Sequence, residues 1–239
     1  MIDVATASVK REFEGPTGKE LVLSVDVSQD GQRIVAVATN RSTQVCTAYV
    51  WDHDSGNILR IIPCGFHEAF ACARFLPNGS ELLISSGDPD FGTRLWDLSQ
   101  DREVRQYTQA TTRARVIAIS PDERTFAVIV GYRVRLFHAD DNDWFRVIPA
   151  QKCSDVAFTS DGRHLIIGQA DSLSIRSLAS GDVVHEFAAE TVRFDAIATS
   201  PDGRFLVSGG GGVWSEEQGT IVGGRRKVSW DKSTVSVSR

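Results

Sequence analysis

One turn-forming tetrapeptide returns five times along this chain: Ser28-Gln29-Asp30-Gly31, Leu76-Pro77-Asn78-Gly79, Ser120-Pro121-Asp122-Glu123, Thr159-Ser160-Asp161-Gly162 and Ser200-Pro201-Asp202-Gly203. Their last residues stand at 31, 79, 123, 162 and 203. Each copy has the chemistry of a tight hairpin turn: Pro presets φ, Asp or Asn bonds its own backbone and tolerates the left-handed region, and Gly accepts positive φ. A period of about 40–45 residues means one supersecondary unit per repeat, stacked on its neighbours because none can bury its apolar faces alone.

The flanks of the turns read as strands. Before them come Val25 to Val27, Ala73 to Phe75, Val116 to Ile119, Val156 to Phe158 and Ala196 to Ala198. After them come Ile34 to Ala38, Leu82 to Ile84, Phe126 to Val130, Leu165 to Ile167 and Phe205 to Val207. These runs are β-branched or aromatic and too short for free-standing helices. A third strand ends in Val50-Trp51-Asp52, Leu95-Trp96-Asp97, Leu136-Phe137-His138, Ile175-Arg176-Ser177 and Ser229-Trp230-Asp231. A fourth carries Ile58 to Ile62, Val104 to Tyr107, Phe145 to Ile148 and Val183 to Phe187, with Thr234 to Ser238 as a short, polar candidate in the last unit.

Four antiparallel strands per unit make the blade of a β-propeller, so the expected fold is all-β with five repeats in a single domain over 1–239. The blades fall near 21–63, 69–109, 113–150, 152–188 and 192–239. The 8–14 stretch resembles a fourth strand, Val9-Lys10-Arg11-Glu12-Phe13 beside Val183-Val184-His185-Glu186-Phe187. Either it closes a five-bladed ring, or the chain is part of a larger ring whose parent carries further repeats or a catalytic domain. The ending just past Trp230-Asp231 favours the second reading.

The turns, the Trp-Asp pairs and the period together resemble the WD-repeat family over nearly the whole chain. The resemblance implies a structural tetrad in the second unit: His67, Ser86, Asp90 and Trp96. There an imidazole bridges a carboxylate and a hydroxyl, and the indole N–H caps the chain, so buried polar groups are satisfied. The other units depart from this pattern. Val45 and Gly131 stand where the turn Asp belongs, Phe137 and Arg176 stand near the Trp position, and a Gly-rich insertion, Gly209 to Gly224, interrupts the fifth.

Other motifs dissolve on inspection. Asp90-Phe91-Gly92 copies a kinase metal-binding tripeptide but lacks every companion motif, and it lies six residues before Trp96 where a blade needs its turn. Cys64, His67 and Cys72 lack the fourth ligand a structural zinc requires. Gly209 to Gly212 has no Gly-Lys-Ser/Thr after it and no helix to aim N–H groups at a phosphate. No serine sits in a Gly-x-Ser-x-Gly elbow. No cofactor or metal is therefore expected.

Thirty-one acidic against 26 basic side chains, a net charge of −5, argue against generic binding to nucleic acid or an anionic membrane. Four scattered cysteines without a Cys-x-x-Cys pair, and no apolar leader within Met1 to Lys19, point to the cytoplasm. The resemblance implies a non-catalytic scaffold binding partner proteins or peptides on its narrow face. A propeller enzyme or small-ligand binder of lactonase type, using the central channel, is the alternative. Counting seven residues back from each turn gives Leu21, Ala69, Arg113, Lys152 and Arg193 at the start of the first strands. The three cations form a candidate partner-binding arc for acidic or phosphorylated segments.

Overall fold

The computed structural model describes residues 2–3, 6–13, 20–40, 42–66, 71–88, 90–108, 114–170, 172–188, 194 and 196–209, and beyond these the strand backbone within 214–238. Every described element of regular structure is a β-strand, and no helix is long and apolar enough to cross a membrane. The chain divides into two units, residues 1–115 and 116–239.

The first unit opens with a two-stranded pair, β1 (Ile2–Asp3) and β2 (Ser8–Val9), and continues with two four-stranded antiparallel sheets. The first sheet is β3 (Glu20–Val27), β4 (Arg33–Asn40), β5 (Val45–Asp52) and β6 (Ile58–Phe66), hydrogen-bonded in that order. The second is β7 (Ala71–Phe75), β8 (Glu81–Ser86), β9 (Thr93–Asp97) and β10 (Arg102–Thr108), again in chain order.

The second unit holds three more sheets. One comprises β11 (Ala114–Ile119), β12 (Thr125–Val130), β13 (Arg133–His138) and β14 (Trp144–Pro149). The next comprises β15 (Asp155–Phe158), β16 (His164–Gly168), β17 (Ser172–Ser177) and β18 (Val183–Ala188). In the last, β19 (Ala196–Thr199) and β20 (Phe205–Gly209) precede a two-stranded excursion, β21 (Trp214–Ser215) with β22 (Thr220–Ile221). β23 (Arg226–Asp231) and β24 (Thr234–Ser238) then complete the sheet. The expected all-β fold, one four-stranded antiparallel sheet per repeat, is what the chain forms. The Gly-rich insertion branches off between the second and third strands of its sheet.

The second strands of the first four sheets are covered on both faces, which is why they read as unbroken apolar runs rather than alternating ones. All six residues of β12 are buried, and so are the six interior residues of β4. In the first unit Val35, Val37, Ala48 and Ile62 of one sheet pack with Ala71, Ala73, Leu82 and Ile84 of the next. In the second unit Ala127, Ile129 and Leu136 pack with Val156, Leu165 and Ile167, while Ile166 and Ile175 pack with Phe194 and Leu206.

All five tetrapeptides join first to second strands, each closed by a bond from the fourth residue's N–H to the first residue's carbonyl at 2.8–2.9 Å. The fourth residue has positive φ in every copy, including Glu123 at 64°. Four copies share a polar clasp. The Ser or Thr hydroxyl donates to the Asp two residues on at 2.6 Å, in Ser28–Asp30, Ser120–Asp122, Thr159–Asp161 and Ser200–Asp202. The same oxygen accepts the N–H five residues on, at 2.9–3.1 Å. The aspartates of the Trp-Asp pairs cap the next hairpin instead: Asp52 accepts from the N–H and hydroxyl of Ser55, and Asp97 from those of Ser99.

Candidate functional site

Of the three arc cations, Lys152 lies within the described residues; Arg113 and Arg193 lie outside them, as does Ala69. Leu21 is exposed on β3. Lys152 sits in the turn between β14 and β15 with φ at 53°, an unusual backbone for a side-chain-bearing residue. Its neighbours on either side, Ala150 and Cys153, are buried, so they anchor the turn while the lysine faces solvent.

Lys152 borders a polar cavity of about 570 Å³. Gln169, in the β16–β17 connection, bridges to its side of the cavity through Nε2 donating to the Gln151 carbonyl at 2.8 Å. Arg176 lines the same space, as do Ser172 and Glu186. Arg176 is held by long bonds, Nε to Ser174 Oγ and Nη1 to the Gly181 carbonyl, both 3.4 Å. The cavity thus gathers an ammonium, a guanidinium, two amides and a hydroxyl against one carboxylate. Such a set suits an anionic group presented with hydrogen-bond acceptors. Counting from the turn reaches Lys152, whereas Arg176 stands in the sequence only as a departure from Trp. Nothing in the spacing pairs the two, because the pairing depends on a loop and a third strand meeting at one rim.

Around the expected tetrad, His67 lies outside the described residues. Ser86 is buried at the end of β8, and its Oγ accepts the Asp88 N–H at 3.2 Å. Asp90 is exposed, and its N–H donates to Asp88 Oδ1 at 2.8 Å. Asp88 Oδ2 accepts the Phe66 N–H at 2.7 Å, so among the described residues Asp88 is the carboxylate that ties this turn to β6. No hydrogen bond joins Ser86, Asp90 and Trp96 to one another among the described residues, and the buried Trp96 indole N–H has no partner there. In Asp90-Phe91-Gly92 the ring of Phe91 is buried in the apolar cluster with the Arg94 guanidinium 4.5 Å over it, a packing role.

Cys46, Cys64, Cys72 and Cys153 are all buried, and none of them forms a disulfide. Among the described residues no three His, Cys, Asp or Glu side chains gather as a metal site.

No family model matches the chain. Over 79 residues, 31% of its length, it is 28% identical to an uncharacterized WD repeat-containing protein of Synechocystis sp. (strain ATCC 27184 / PCC 6803 / Kazusa). The matched stretch is 23% of that protein's length. This partial likeness to a WD repeat-containing protein is compatible with the serial four-stranded sheets.

Proposed function

We propose that this protein is a cytoplasmic, non-catalytic interaction scaffold that binds partner proteins through acidic or phosphorylated segments. The observation that carries the proposal is the pairing of exposed Lys152 with Arg176 across one polar cavity, on a frame of antiparallel sheets closed by rigid turns. By count from the turns, Arg113 and Arg193 stand at the equivalent sequence positions of the neighbouring repeats, and the proposal includes them as cations of the same kind. Arginine's planar fork suits bidentate capture of carboxylate or phosphate, and lysine adds a point charge. Serial β-sheets present such groups with little reorganisation, which lowers the cost of binding.

The test is reversal of Arg113, Lys152 and Arg193 together to Glu, with circular dichroism to verify folding. Fluorescence anisotropy then follows binding of labelled acidic and phosphoserine peptides at two ionic strengths. Wild-type binding should weaken as salt rises, because part of it is long-range attraction. The triple variant should lose it. Unchanged affinity in a folded triple variant would refute the arc.

A further inference from the structure

Within each unit, second strands turn one face toward the preceding sheet: Leu82 and Ile84 in the second sheet, Leu165 and Ile167 in the fourth, Leu206 in the fifth. The equivalent face of the first sheet, Ile34, Ala36 and Ala38, is joined by Tyr49 and Trp51 of β5 and covered by Phe13. Phe13 reaches it because its segment is tied down two residues earlier, where Arg11 Nη2 donates to the Asp54 carbonyl at 2.7 Å. Beneath Phe13 lies a cavity of about 330 Å³.

Its walls are specific. Phe13 and Trp51 have ring centroids 6.0 Å apart and planes at 60°, and Tyr49 and Trp51 are 5.8 Å apart at 39°. Three tilted rings therefore border one space, with aliphatic side chains of β3 and β4 completing it and half-exposed Val22 and Val25 at its mouth. Glu20 supplies the charge, and no lining residue among those described is cationic. Tyr49 Oη donates to Glu20 Oε1 at 2.8 Å, which fixes both groups. Burial, and then the neighbouring Glu20, push the Tyr49 hydroxyl up to about 12, so it keeps its proton as a donor at neutral pH.

A tyrosine here is not demanded by the sheet. Tyr49 stands opposite Ala36; the matching places, opposite Ile84, Val128 and Ile167, hold Arg94, Arg135 and Ser174. The first repeat alone among these four puts an aromatic ring at this place.

We propose that this cavity binds a small quaternary ammonium compound of about the size of choline, its methylated head among Phe13, Tyr49 and Trp51 and its charge facing Glu20. Ring faces carry negative quadrupole potential and attract cations, most strongly where water is excluded. A primary ammonium needs acceptors for three N–H groups and is strongly hydrated; this cavity offers it little beyond Glu20. A quaternary head has no N–H to satisfy, and its methyl groups bury against the apolar wall.

The experiment is calorimetric titration of the full chain with three probes of one shape family. Choline carries the methylated cation, ethanolamine a primary ammonium, and 3,3-dimethylbutan-1-ol the uncharged carbon isostere. Choline should bind saturably, with the other two at least about tenfold weaker. Glu20→Gln and Phe13→Ala should each weaken choline several-fold while leaving the circular dichroism spectrum unchanged. Equal binding of the neutral isostere would overturn the proposal, as would no saturable choline binding up to roughly 10 mM. So would light scattering that shows a dimer dispersed by Val22→Glu, since a second copy would then own this face.

Discussion

Ser120→Ala tests whether the polar clasp at the turns, rather than the turn backbone alone, holds a sheet together. Ser120 is 3% exposed and its Oγ makes two bonds: it donates to Asp122 Oδ1 at 2.6 Å and accepts the Thr125 N–H at 3.0 Å. Losing the first costs about 1 kcal/mol, since Asp122 itself is largely open to water. Losing the second strands the N–H of a buried residue, for about 1–2 kcal/mol. Together these give roughly 2–3 kcal/mol, or a fall in Tm of about 5–10 °C for a chain of this size. Ser120→Thr is the control: Thr159 already performs the same two bonds in its own repeat, so this variant should stay within about 0.5 kcal/mol of wild type. Urea titration and thermal melts measure both. A second readout is site-specific. The Ser120 bond is the largest cause holding the Asp122 carboxyl below its ordinary value, so in Ser120→Ala its NMR titration should move back up toward about 4. An alanine variant as stable as wild type, with Asp122 titrating as before, would refute the clasp.

Three more expectations follow from the packing and the charges. Phe137→Ala removes a fully buried ring stacked on Phe126 at 5.0 Å and should cost about 3–5 kcal/mol, read in the same melts. Gly65→Ala should be strongly destabilising, because Gly65 has φ 90° and an added Cβ would overlap the Asp88 carboxylate and Cβ; a melt unchanged from wild type would sink the Asp88 tie to β6. Asp30, Asp52, Asp97, Asp122, Asp161 and Asp202 all sit below the ordinary carboxylate value, chiefly through hydrogen bonds from Ser, Thr or backbone N–H. Their contribution is complete above the unfolded value of about 4 and is lost as pH falls below it, so urea midpoints should drop between about pH 4 and 2. Asp26 acts with the opposite sign, because burial raises it despite the Phe75 N–H and Arg74, so its contribution weakens as pH rises.

Much of the fold was legible because its turns are local. Proline, aspartate and glycine at fixed offsets specify a hairpin without help from distant residues, and all five tetrapeptides sit at first-to-second-strand hairpins. The Trp-Asp, Phe-His and Arg-Ser pairs that end the third strands were equally legible, as β5, β9, β13, β17 and β23 stop at Asp52, Asp97, His138, Ser177 and Asp231. Strand starts were only partly legible: counting back from the turn lands at Leu21, one residue from the start of β3 at Glu20, but at Lys152 it falls in the turn, three residues before β15 begins at Asp155. The cavities were less legible still. Glu20, Tyr49 and Phe13 lie on three separate segments, and no spacing rule connects them.

Most of the polar chemistry of these repeats sits in the signature itself, in the turn tetrapeptides and the Trp-Asp aspartates, and the turn before Trp96 adds a carboxylate of its own. Asp90 stands six residues before Trp96, and two residues earlier Asp88 accepts the backbone N–H groups of Phe66 and Asp90. A signature fixes position along the chain, whereas a hydrogen bond needs a side chain aimed at a donor, and in a tight turn residues two apart meet different donors. The turn clasp tolerates variation better: it asks only for a hydroxyl and a carboxylate two residues apart, and Ser or Thr serves equally. With second strands and turns fixing each sheet, the third strand can vary in chemistry. Tyr49, Arg94, Arg135 and Ser174 occupy one structural place, and there the first repeat gains an aromatic wall while the second gains a cation paired with Glu103. Binding chemistry on such a chain is therefore a property of individual repeats. Exchanging Tyr49 for Arg should abolish the quaternary ammonium site while leaving the sheet in place, since arginine already stands at this position in two of its neighbours.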